Sequence, residues 1–311
     1  MELKENSMLN NIVIAGGGVL GSQIAYQCGF YGKHVVVYDI SEDAIKAAEK
    51  RVNSWDQDYR DDVSATEDQI KAAHANISYN SDLAEAVKDA DLVIEAIPEV
   101  VDIKKDFYHR LAAVLNPQAI IVSNSSTLLP SQFAEDTGRP DKFMALHFAN
   151  HIWIENLTEM MPTKETSEAT IDSVRAFAES IGMVPTLVKK EQPGYLLNSL
   201  LVPWITSAEA LWGNDIGSIQ DIDRSWMIAK EAKYGPFGNI DRVGLRTAYN
   251  IGKETLPSLT NEKEHKGLEI ALERMDKMIS EGKLGMESGE GFYQYPNPAY
   301  EAADFLKHGD R

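Results

Sequence analysis

The sequence of 311 residues contains one cysteine, Cys28, so an intrachain disulfide is excluded and a reducing compartment is expected. No apolar run reaches the ~18 residues that a membrane-spanning helix needs. Basic residues are also scarce: 30 Lys and Arg stand against 48 Asp and Glu, which gives a net charge of −18. This balance argues against nucleic acid as a partner, and it means that an anionic ligand needs local hydrogen-bond donors.

The first residues, MELKENSMLNN, lack the basic and apolar regions of a signal peptide. With the single cysteine, this predicts a cytoplasmic protein with no membrane partner. Hydrophobic residues make up 43% and charged residues 25%, which is ordinary for a globular protein. At about 150 residues per domain, the length predicts two domains.

Three closely spaced glycines follow a short apolar run. Residues 12–15 read as a buried strand, and Gly16, Gly18 and Gly21 follow it in G-x-G-x-x-G spacing before an apolar helix. In a dinucleotide-binding loop the first glycine permits the turn, the second lets a pyrophosphate approach, and the third allows close helix packing. The candidate cofactor-binding residues of this loop are Gly16, Gly18, Val19, Leu20 and Gly21.

An acid ends the next predicted strand, residues 34–38. Asp39 can accept hydrogen bonds from both ribose hydroxyls, which favours NAD over NADP. A glycine motif alone could be a surface turn. Here strand, glycines, helix, strand and acid occur in the order that dinucleotide binding requires, so we expect NAD as the cofactor.

Strands and helices alternate over the first 190 residues or so, which predicts an α/β fold with a doubly wound parallel sheet. Further strands are predicted at 77–79, 92–97, 119–123, 143–148 and 183–188, and helices at 44–59, 83–88 and 101–115. After Gln192-Pro193-Gly194 only helical periodicity remains, at 195–212, 218–230, 240–255 and 264–281. We therefore expect a nucleotide-binding domain over 1–190 and an all-helical C-terminal domain over 191–311.

With these elements placed, the chain resembles the NAD-dependent L-3-hydroxyacyl-CoA dehydrogenases, in particular the 3-hydroxybutyryl-CoA dehydrogenases, over nearly its whole length. The segments that carry the resemblance are IAGGGVLGSQIA, DLVIEAIPE, SNSSTLLPS, ALHFAN, QPGYLLNSLLVPW, YGPFGNIDRVG and GEGFYQY. The resemblance implies a Rossmann-type NAD domain, a helical substrate and dimerisation domain, and an active site between them. It also implies an oxidoreductase of fatty acid metabolism that acts as a homodimer on a small-molecule substrate.

Such a reaction needs a group that takes the hydroxyl proton while a hydride passes to the nicotinamide. Histidine suits this role near neutral pH, particularly beside a carboxylate that fixes its tautomer. The chain has seven histidines, and periodicity alone does not choose among them. His147 stands out because it ends a predicted strand near the sheet edge where α/β proteins bind ligands.

The resemblance implies roles for the other site residues. His147 matches the catalytic base and Glu159, in NLTEMMP, its carboxylate partner. Ser126 matches a serine that contacts the reacting hydroxyl and the cofactor, and Asn198 an asparagine that holds the substrate carbonyl. Further cofactor contacts are implied for Glu99, Lys104 and Asn150. No metal site is expected.

Several positions depart from the family pattern. Where CoA-binding members carry a serine and a lysine-rich stretch, counting from Asp39 places Trp55 and Asp62 here. An aspartate near CoA phosphates would repel them by ~1 kcal/mol at short range. The proline expected after Asn150 is His151, and a lysine expected before the last glycine motif is Glu287. The departures spare the hydride-transfer residues and concern the part that would hold CoA.

Three functions therefore remain open. The first is oxidoreduction at the 3-position of a short L-3-hydroxyacyl-CoA or 3-oxoacyl-CoA. The second is the same chemistry on a free 3-hydroxy acid, such as a gulonate- or carnitine-type substrate. The third is a structural protein that binds the dinucleotide without catalysis, which the joint presence of His147, Glu159, Ser126 and Asn198 argues against.

Overall fold

The computed structural model describes residues 9–307, which fall into two compact units. The first unit ends at Leu196 and the second begins at Leu197. The assignment of separate roles to residues 1–190 and 191–311 stays a prediction.

A sheet of eight strands forms the centre of the first unit, in the order β3-β2-β1-β4-β5-β6-β7-β8. The strands are β1 (Asn11–Ala15), β2 (His34–Tyr38), β3 (Ile77–Asn80), β4 (Leu92–Glu95), β5 (Ile120–Ser123), β6 (Phe143–Phe148), β7 (Leu157–Pro162) and β8 (Val184–Leu187). Strands β1 to β6 are all parallel, with the order reversing on either side of β1. The predicted doubly wound α/β sheet is confirmed.

Both faces of this sheet are covered, which explains why its strands read as continuous apolar runs. Along β1, Ile12 and Ile14 belong to one core cluster while Val13 belongs to the other. The covering helices are α1 (Val19–Phe30), α2 (Glu42–Ser54), α3 (Asp56–Val63), α4 (Glu67–Ala75), α5 (Leu83–Val87), α6 (Val101–Val114) and α7 (Glu168–Ser180).

The helices differ from the prediction in two ways. The single helix predicted over 44–59 is divided at Trp55 into α2 and α3. Helices α4 and α7 were not predicted, although each has an N-terminal cap that the sequence displays. Thr66 and Gln69 form a capping box before α4, and the Ser167 side chain accepts a hydrogen bond from the Thr170 amide in α7.

Strand β7 was also missing from the prediction, and it alters the sheet. It pairs antiparallel with β6, because the short segment 149–156 reverses the chain without a crossover helix. The register sets His147 directly opposite Glu159. Strand β8 then pairs parallel with β7 and so runs against the first six strands.

The second unit is helical, as predicted. Its helices are α8 (Leu197–Gly213), α9 (Ile219–Lys230), α10 (Pro236–Val243), α11 (Leu245–Thr255) and α12 (Glu262–Ser280). The helix predicted over 240–255 is interrupted at Gly244, whose φ of 96° is left-handed and unsuited to a continuous helix. Within residues 9–307, no helix combines the length and apolarity required to cross a bilayer.

A buried carboxyl group in α8 has no ion-pair partner within residues 9–307. Glu209 is 1% exposed, and neither of its carboxylate oxygens has a hydrogen-bond partner among the described residues. Burial raises the pKa of Glu209 to about 8. Deprotonating this group in the folded state therefore costs free energy that the unfolded chain does not lose.

We expect Glu209 to lower the stability of the protein as the pH rises from about 4.5 to about 8. The folded pKa exceeds the ordinary value, so the folded state binds the proton more tightly, and the free energy of unfolding falls by up to about 1.4 kcal/mol per pH unit. Glu209→Gln should remove this dependence and be more stable than wild type at about pH 8. Urea titrations across this range, with the exposed Glu269→Gln as control, measure it; equal pH slopes for wild type and Glu209→Gln would contradict it.

Candidate active site

Each of the three glycines of the motif after β1, of which Gly21 lies in the first turn of α1, has a distinct geometric reason to be glycine. Gly16 has a φ of 105°, and a Cβ there would lie 2.5 Å from the Ala96 carbonyl oxygen. A Cβ on Gly21 would lie 2.0 Å from the Gly16 carbonyl oxygen, so α1 packs against the loop only with glycine. A Cβ on Gly18 would meet no atom within 4 Å. Open space therefore lies in front of Gly18, as the approach of a pyrophosphate requires.

Helix α1 begins directly after this loop, with Gly18 as its N-cap and no capping side chain. Its first backbone N–H groups and the positive end of its dipole are suited to bind an anion. Val19 and Leu20 line the same cavity of about 250 Å³ as Gly18 and Ser126, which we call the Ser126 cavity. The loop thus offers the local donors that a protein with net charge −18 needs for an anionic cofactor.

Asp39 connects the end of β2 to the glycine loop. Its carboxylate accepts hydrogen bonds from the Gly17 amide at 2.9 Å and the Ile40 amide at 2.8 Å. It lines a second cavity of about 560 Å³ together with Gly16, Gly18 and Tyr38. A half-buried carboxylate held in this way has capacity left to accept ribose hydroxyls, as the sequence predicts.

Glu95 and Lys104 form a buried ion pair beside the Ser126 cavity. The Lys104 ammonium lies 2.5 Å from one Glu95 carboxylate oxygen and 3.2 Å from Glu99, and its side chain is 1% exposed. The other Glu95 oxygen accepts hydrogen bonds from the Tyr108 and Ser123 hydroxyls, both at 2.7 Å. Lys104 lines the cavity, but its charge is largely taken up by the two glutamates.

Glu99 organises the loop that carries Ser126. Its carboxylate accepts hydrogen bonds from the Ser125 hydroxyl, from the Ser126 and Thr127 amides at 3.0 and 3.1 Å, and from the Thr127 hydroxyl. Burial alone would raise the pKa of Glu99, but the Ser125 hydrogen bond and the Lys104 charge outweigh it and hold that pKa below its usual value. Glu99 therefore stays ionised and fixes the serine loop in place.

His147 lies between a hydroxyl and a carboxylate. Its Nε2 atom is 3.2 Å from the Ser126 hydroxyl, and its Nδ1 atom is 3.3 Å from Glu159 Oε2. His147 is 6% and Glu159 1% exposed. The antiparallel pairing of β6 and β7 produces this contact, because residues directly opposite each other project from the same face of the sheet.

An imidazole in this arrangement can exchange a proton at Nε2. Glu159 accepts from Nδ1–H, so it fixes the tautomer with a free Nε2 and stabilises the ring when it is protonated. Ser126 is placed to hydrogen bond a hydroxyl that approaches Nε2. The sequence-predicted residues His147, Glu159 and Ser126 therefore lie together.

The predicted site includes two further residues, Asn150 and Asn198. Asn150 is exposed after β6, and Asn198 is half-buried in the first turn of α8, in the second unit. Their assigned contacts with the nicotinamide and the substrate carbonyl stay predictions.

Three side chains that shape the site were not predicted. Asn124 accepts a hydrogen bond from the Phe148 amide at 2.9 Å and so connects the serine loop to the end of β6. Glu95 could have been noticed as an acid inside an otherwise apolar strand, since such a charge needs a buried partner. The third, Tyr195, packs on His147 at 4.6 Å between ring centroids.

Two family models match the chain. Residues 11–192 match the 3-hydroxyacyl-CoA dehydrogenase NAD binding domain, and residues 194–295 match the 3-hydroxyacyl-CoA dehydrogenase C-terminal domain. The mitochondrial hydroxyacyl-coenzyme A dehydrogenase of Sus scrofa is 30% identical over 293 residues, covering 93% of this chain and 92% of its own. A probable 3-hydroxybutyryl-CoA dehydrogenase of Bacillus subtilis (strain 168) is 31% identical over 295 residues, covering 95% and 98%.

Solved structures show the same similarity. A diketoreductase, described for its substrate-directed dual catalysis of dicarbonyl compounds, is 45% identical with a TM-score of 0.85, covering 93% of this chain and 100% of its own. The (S)-3-hydroxybutyryl-CoA dehydrogenase of Ralstonia eutropha is 28% identical with a TM-score of 0.78 and the same coverage. The matches extend across both units of the chain.

We expect Glu159→Gln to lower kcat by about 10²-fold, within the usual contribution of general-base catalysis. Glutamine keeps a hydrogen-bonding group but loses the charge that stabilises imidazolium. Proton transfer to His147 should therefore be slower. The measurement is kcat for oxidation of 3-hydroxybutyryl-CoA with NAD, with the exposed Glu168→Gln as control. An unchanged kcat in Glu159→Gln would contradict the assigned pairing.

Proposed function

The chain belongs to the 3-hydroxyacyl-CoA dehydrogenase family, and on that basis we propose that it transfers a hydride between NAD(H) and the 3-position of a short L-3-hydroxyacyl-CoA or 3-oxoacyl-CoA. The observation that carries this proposal is the contact of His147 with Ser126 on one side and Glu159 on the other. Ser126 also lines a cavity with Gly18 of the dinucleotide loop, which brings the acid–base group and the cofactor loop to one edge of the sheet.

The glycine loop and Asp39 fit NAD. Open space in front of Gly18 and the uncapped start of α1 suit the pyrophosphate, and Asp39 suits the ribose hydroxyls. Bound NAD supplies the hydride acceptor for alcohol oxidation and, as NADH, the hydride donor for ketone reduction.

In alcohol oxidation, His147 Nε2 takes the proton of the substrate 3-hydroxyl as the hydride leaves C3. Glu159 stabilises the resulting imidazolium through Nδ1–H, and Ser126 orients the hydroxyl toward Nε2. In the reverse direction the imidazolium returns this proton to the alkoxide oxygen. Low exposure of His147 and Glu159 limits competition from water for the same proton.

A structural role without catalysis is disfavoured by the placement of these groups. A dinucleotide-binding scaffold needs the glycine loop and Asp39, but it does not need a buried histidine held between a hydroxyl and a carboxylate. Burying such a pair carries a desolvation cost that dinucleotide binding alone does not require. Catalysis therefore accounts for more of the observed contacts.

A second candidate is a free 3-oxo acid or another dicarbonyl compound without CoA, and contacts of α3 favour it. Trp153, in the segment after β6, donates its indole N–H to Asp62 at 2.8 Å, and its ring lies 5.4 Å from that of Trp55. These aromatic and acidic side chains occupy the two positions where CoA-binding relatives are expected to carry serine and lysine. Burial, followed by the Asp62 charge, raises the pKa of the nearby Asp58.

This second candidate also has support among the relatives. The diketoreductase is 45% identical to the chain, whereas the Bacillus subtilis and Sus scrofa relatives are 31% and 30% identical. CoA carries several negatively charged phosphate oxygens, which an acidic surface would repel. The two candidates share the same proton and hydride chemistry and differ only in what holds the rest of the substrate.

A comparison of NADH oxidation with acetoacetyl-CoA and with free acetoacetate separates the two candidates. If CoA is recognised, kcat/KM should be at least about tenfold higher with the thioester, equivalent to about 1.4 kcal/mol of transition-state binding. Equal or higher efficiency with free acetoacetate would overturn the CoA proposal and support the second candidate.

Asp62→Lys tests whether α3 faces the CoA phosphates. The change adds two positive charges relative to wild type, so it should lower KM for acetoacetyl-CoA and leave KM for acetoacetate unchanged if the phosphates lie nearby. Asp68→Lys makes the same charge change on an exposed residue of α4 and serves as the matched control. Equal changes in KM for the two substrates would contradict a position of α3 near the CoA phosphates.

The helical unit supports a further proposal, that the chain forms a homodimer. A groove of about 470 Å³ between α8 and α9 is lined by Trp204, Leu211, Ile216 and Trp226. Ile216, in the turn after α8, is 68% exposed, and Leu200, on α8, is 74% exposed. An apolar groove lined by two tryptophans is typical of homodimer interfaces, and a second copy of this chain is the occupant that the resemblance implies.

Light scattering at micromolar concentration should give twice the monomer mass for the wild type and the monomer mass for Ile216→Glu, since a buried charge at the interface is costly. Val114→Glu places the same charge on an exposed apolar residue of α6 and should stay dimeric. A monomeric wild type would contradict the proposal. A cytoplasmic location, which the free thiol of Cys28 supports, and a role in fatty acid metabolism, which the family supports, belong to the same proposed function.

A further inference from the structure

Tyr195 covers one face of the His147 ring. The two rings are nearly parallel, with centroids 4.6 Å apart and planes 18° apart, and Tyr195 is 1% exposed. A stacked aromatic ring shields that face of the imidazole from water and restricts its rotation. The orientation of Nε2 toward Ser126 therefore depends on Tyr195 as well as on β6.

The hydroxyl of Tyr195 reaches the loop that carries Ser126. It donates a hydrogen bond to the Ser125 carbonyl oxygen at 2.6 Å, one residue before the serine whose hydroxyl contacts His147. Burial, followed by the charges of Glu99 and Glu159, raises the pKa of Tyr195, so its hydroxyl stays protonated and continues to donate. One side chain thus contacts the base with its ring and the serine loop with its oxygen.

The next residue holds the carboxylate. The Leu196 amide donates a hydrogen bond to Glu159 Oε1 at 2.9 Å, while Oε2 of the same carboxylate faces His147 Nδ1. Both oxygens are therefore engaged, and rotation of the carboxylate away from the ring would break the Leu196 contact. Residues 195 and 196 together orient both members of the proton-transfer pair.

This double contact requires an unusual backbone. Gly194 and Tyr195 have φ values of 78° and 54°, and a left-handed conformation is costly for a residue with a Cβ. The conformation turns the chain so that the Tyr195 ring faces His147 while the following amide faces Glu159. Strain at such a position is retained where the surrounding contacts over-determine it, and here those contacts are to the acid–base pair.

We infer that Tyr195 is a positioning residue for the proton transfer at His147, which rests on the proposed function. Its ring fixes the imidazole plane and carries the main effect, its hydroxyl adds a second contact to the serine loop, and its backbone places the amide that orients Glu159. The atoms exchanged are those of the main reaction: the proton moves between His147 Nε2 and the substrate oxygen, and Tyr195 neither gains nor loses a proton.

The test compares Tyr195→Leu, which removes the stacked ring, with Tyr195→Phe, which keeps the ring and removes the hydroxyl. We expect Tyr195→Leu to lower kcat by at least about tenfold, since small misplacement of a reacting group has effects of this size, with KM for NADH within about twofold of wild type. The solvent deuterium isotope effect on kcat should rise in Tyr195→Leu, because proton delivery then limits the rate. Tyr195→Phe should recover most of kcat.

Tyr26→Leu and Tyr26→Phe are the matched controls, because Tyr26 is a buried, hydrogen-bonded tyrosine of the same unit. They should lower the melting temperature without raising the isotope effect. The inference is overturned if Tyr195→Leu keeps the wild-type kcat and isotope effect, if Tyr26→Leu reproduces its losses, or if Tyr195→Phe is as damaged as Tyr195→Leu.

A measurement on the NADH-bound protein distinguishes failure of this inference from failure of the proposed function. In the NADH-bound protein without substrate, the His147 ring resonances in NMR spectra should move in Tyr195→Leu, because the ring current of the stacked tyrosine is lost, and should stay near wild type in Tyr195→Phe. Unmoved resonances in Tyr195→Leu overturn the inference. Wild-type protein that oxidises NADH with neither acetoacetyl-CoA nor acetoacetate overturns the proposed function instead, and the resonances still decide the positioning.

Discussion

The antiparallel pairing of β6 with β7 is the constraint on which the site depends. The sheet is parallel up to β6, and the reversal at residues 149–156 sets His147 opposite Glu159 in the ladder. A slip of one residue would move Glu159 to the other face of the sheet and leave the histidine without its carboxylate. The acid–base pair is therefore set by backbone hydrogen bonds rather than by mobile side chains alone.

Three carboxylates at this sheet edge hold different parts of the site. Glu95 is buried with Lys104 and two hydroxyls, Glu99 accepts from the amides of the serine loop, and Glu159 faces His147. Each has a distinct set of donors, which lets several acids remain near one another in a protein that is already strongly acidic. The three carboxylates thereby orient Lys104, the serine loop and His147 relative to one another.

The features that could be predicted from sequence are those whose evidence is local in the chain. The glycine loop and Asp39 occur within one strand–helix–strand unit, and their spacing alone indicates dinucleotide binding. Strand β7 was missed because six residues with a charge at Glu159 give little periodic signal. From the residues alone Glu159 looks like a surface acid, and only the family resemblance suggested its role before its partner strand was seen.

Other features depend on distant contacts that a sequence does not display. Tyr195 lies in a turn after proline and glycine, and it stacks on His147, which is 48 positions earlier in the chain. Strand register does not predict this contact, because Tyr195 lies outside the strands. Glutamate is a common residue in helices, so the sequence around Glu209 predicts only a helix. That its carboxyl group is buried without a hydrogen-bond partner among the described residues follows from the packing. The division of one predicted helix at Gly244 likewise follows from a backbone angle that glycine permits but does not impose.

The most direct test of the account is the rate of hydride transfer from NADH to acetoacetyl-CoA, or to acetoacetate if that is the substrate, in a single turnover. His147→Ala should slow this step by about 10²–10⁴-fold, the range typical of lost acid–base catalysis, with NADH binding unchanged by fluorescence. His151 is the rival base four residues on; it is exposed and packs against Trp153, so His151→Ala should transfer hydride at close to the wild-type rate. Near-normal transfer in His147→Ala together with loss of transfer in His151→Ala would contradict the account.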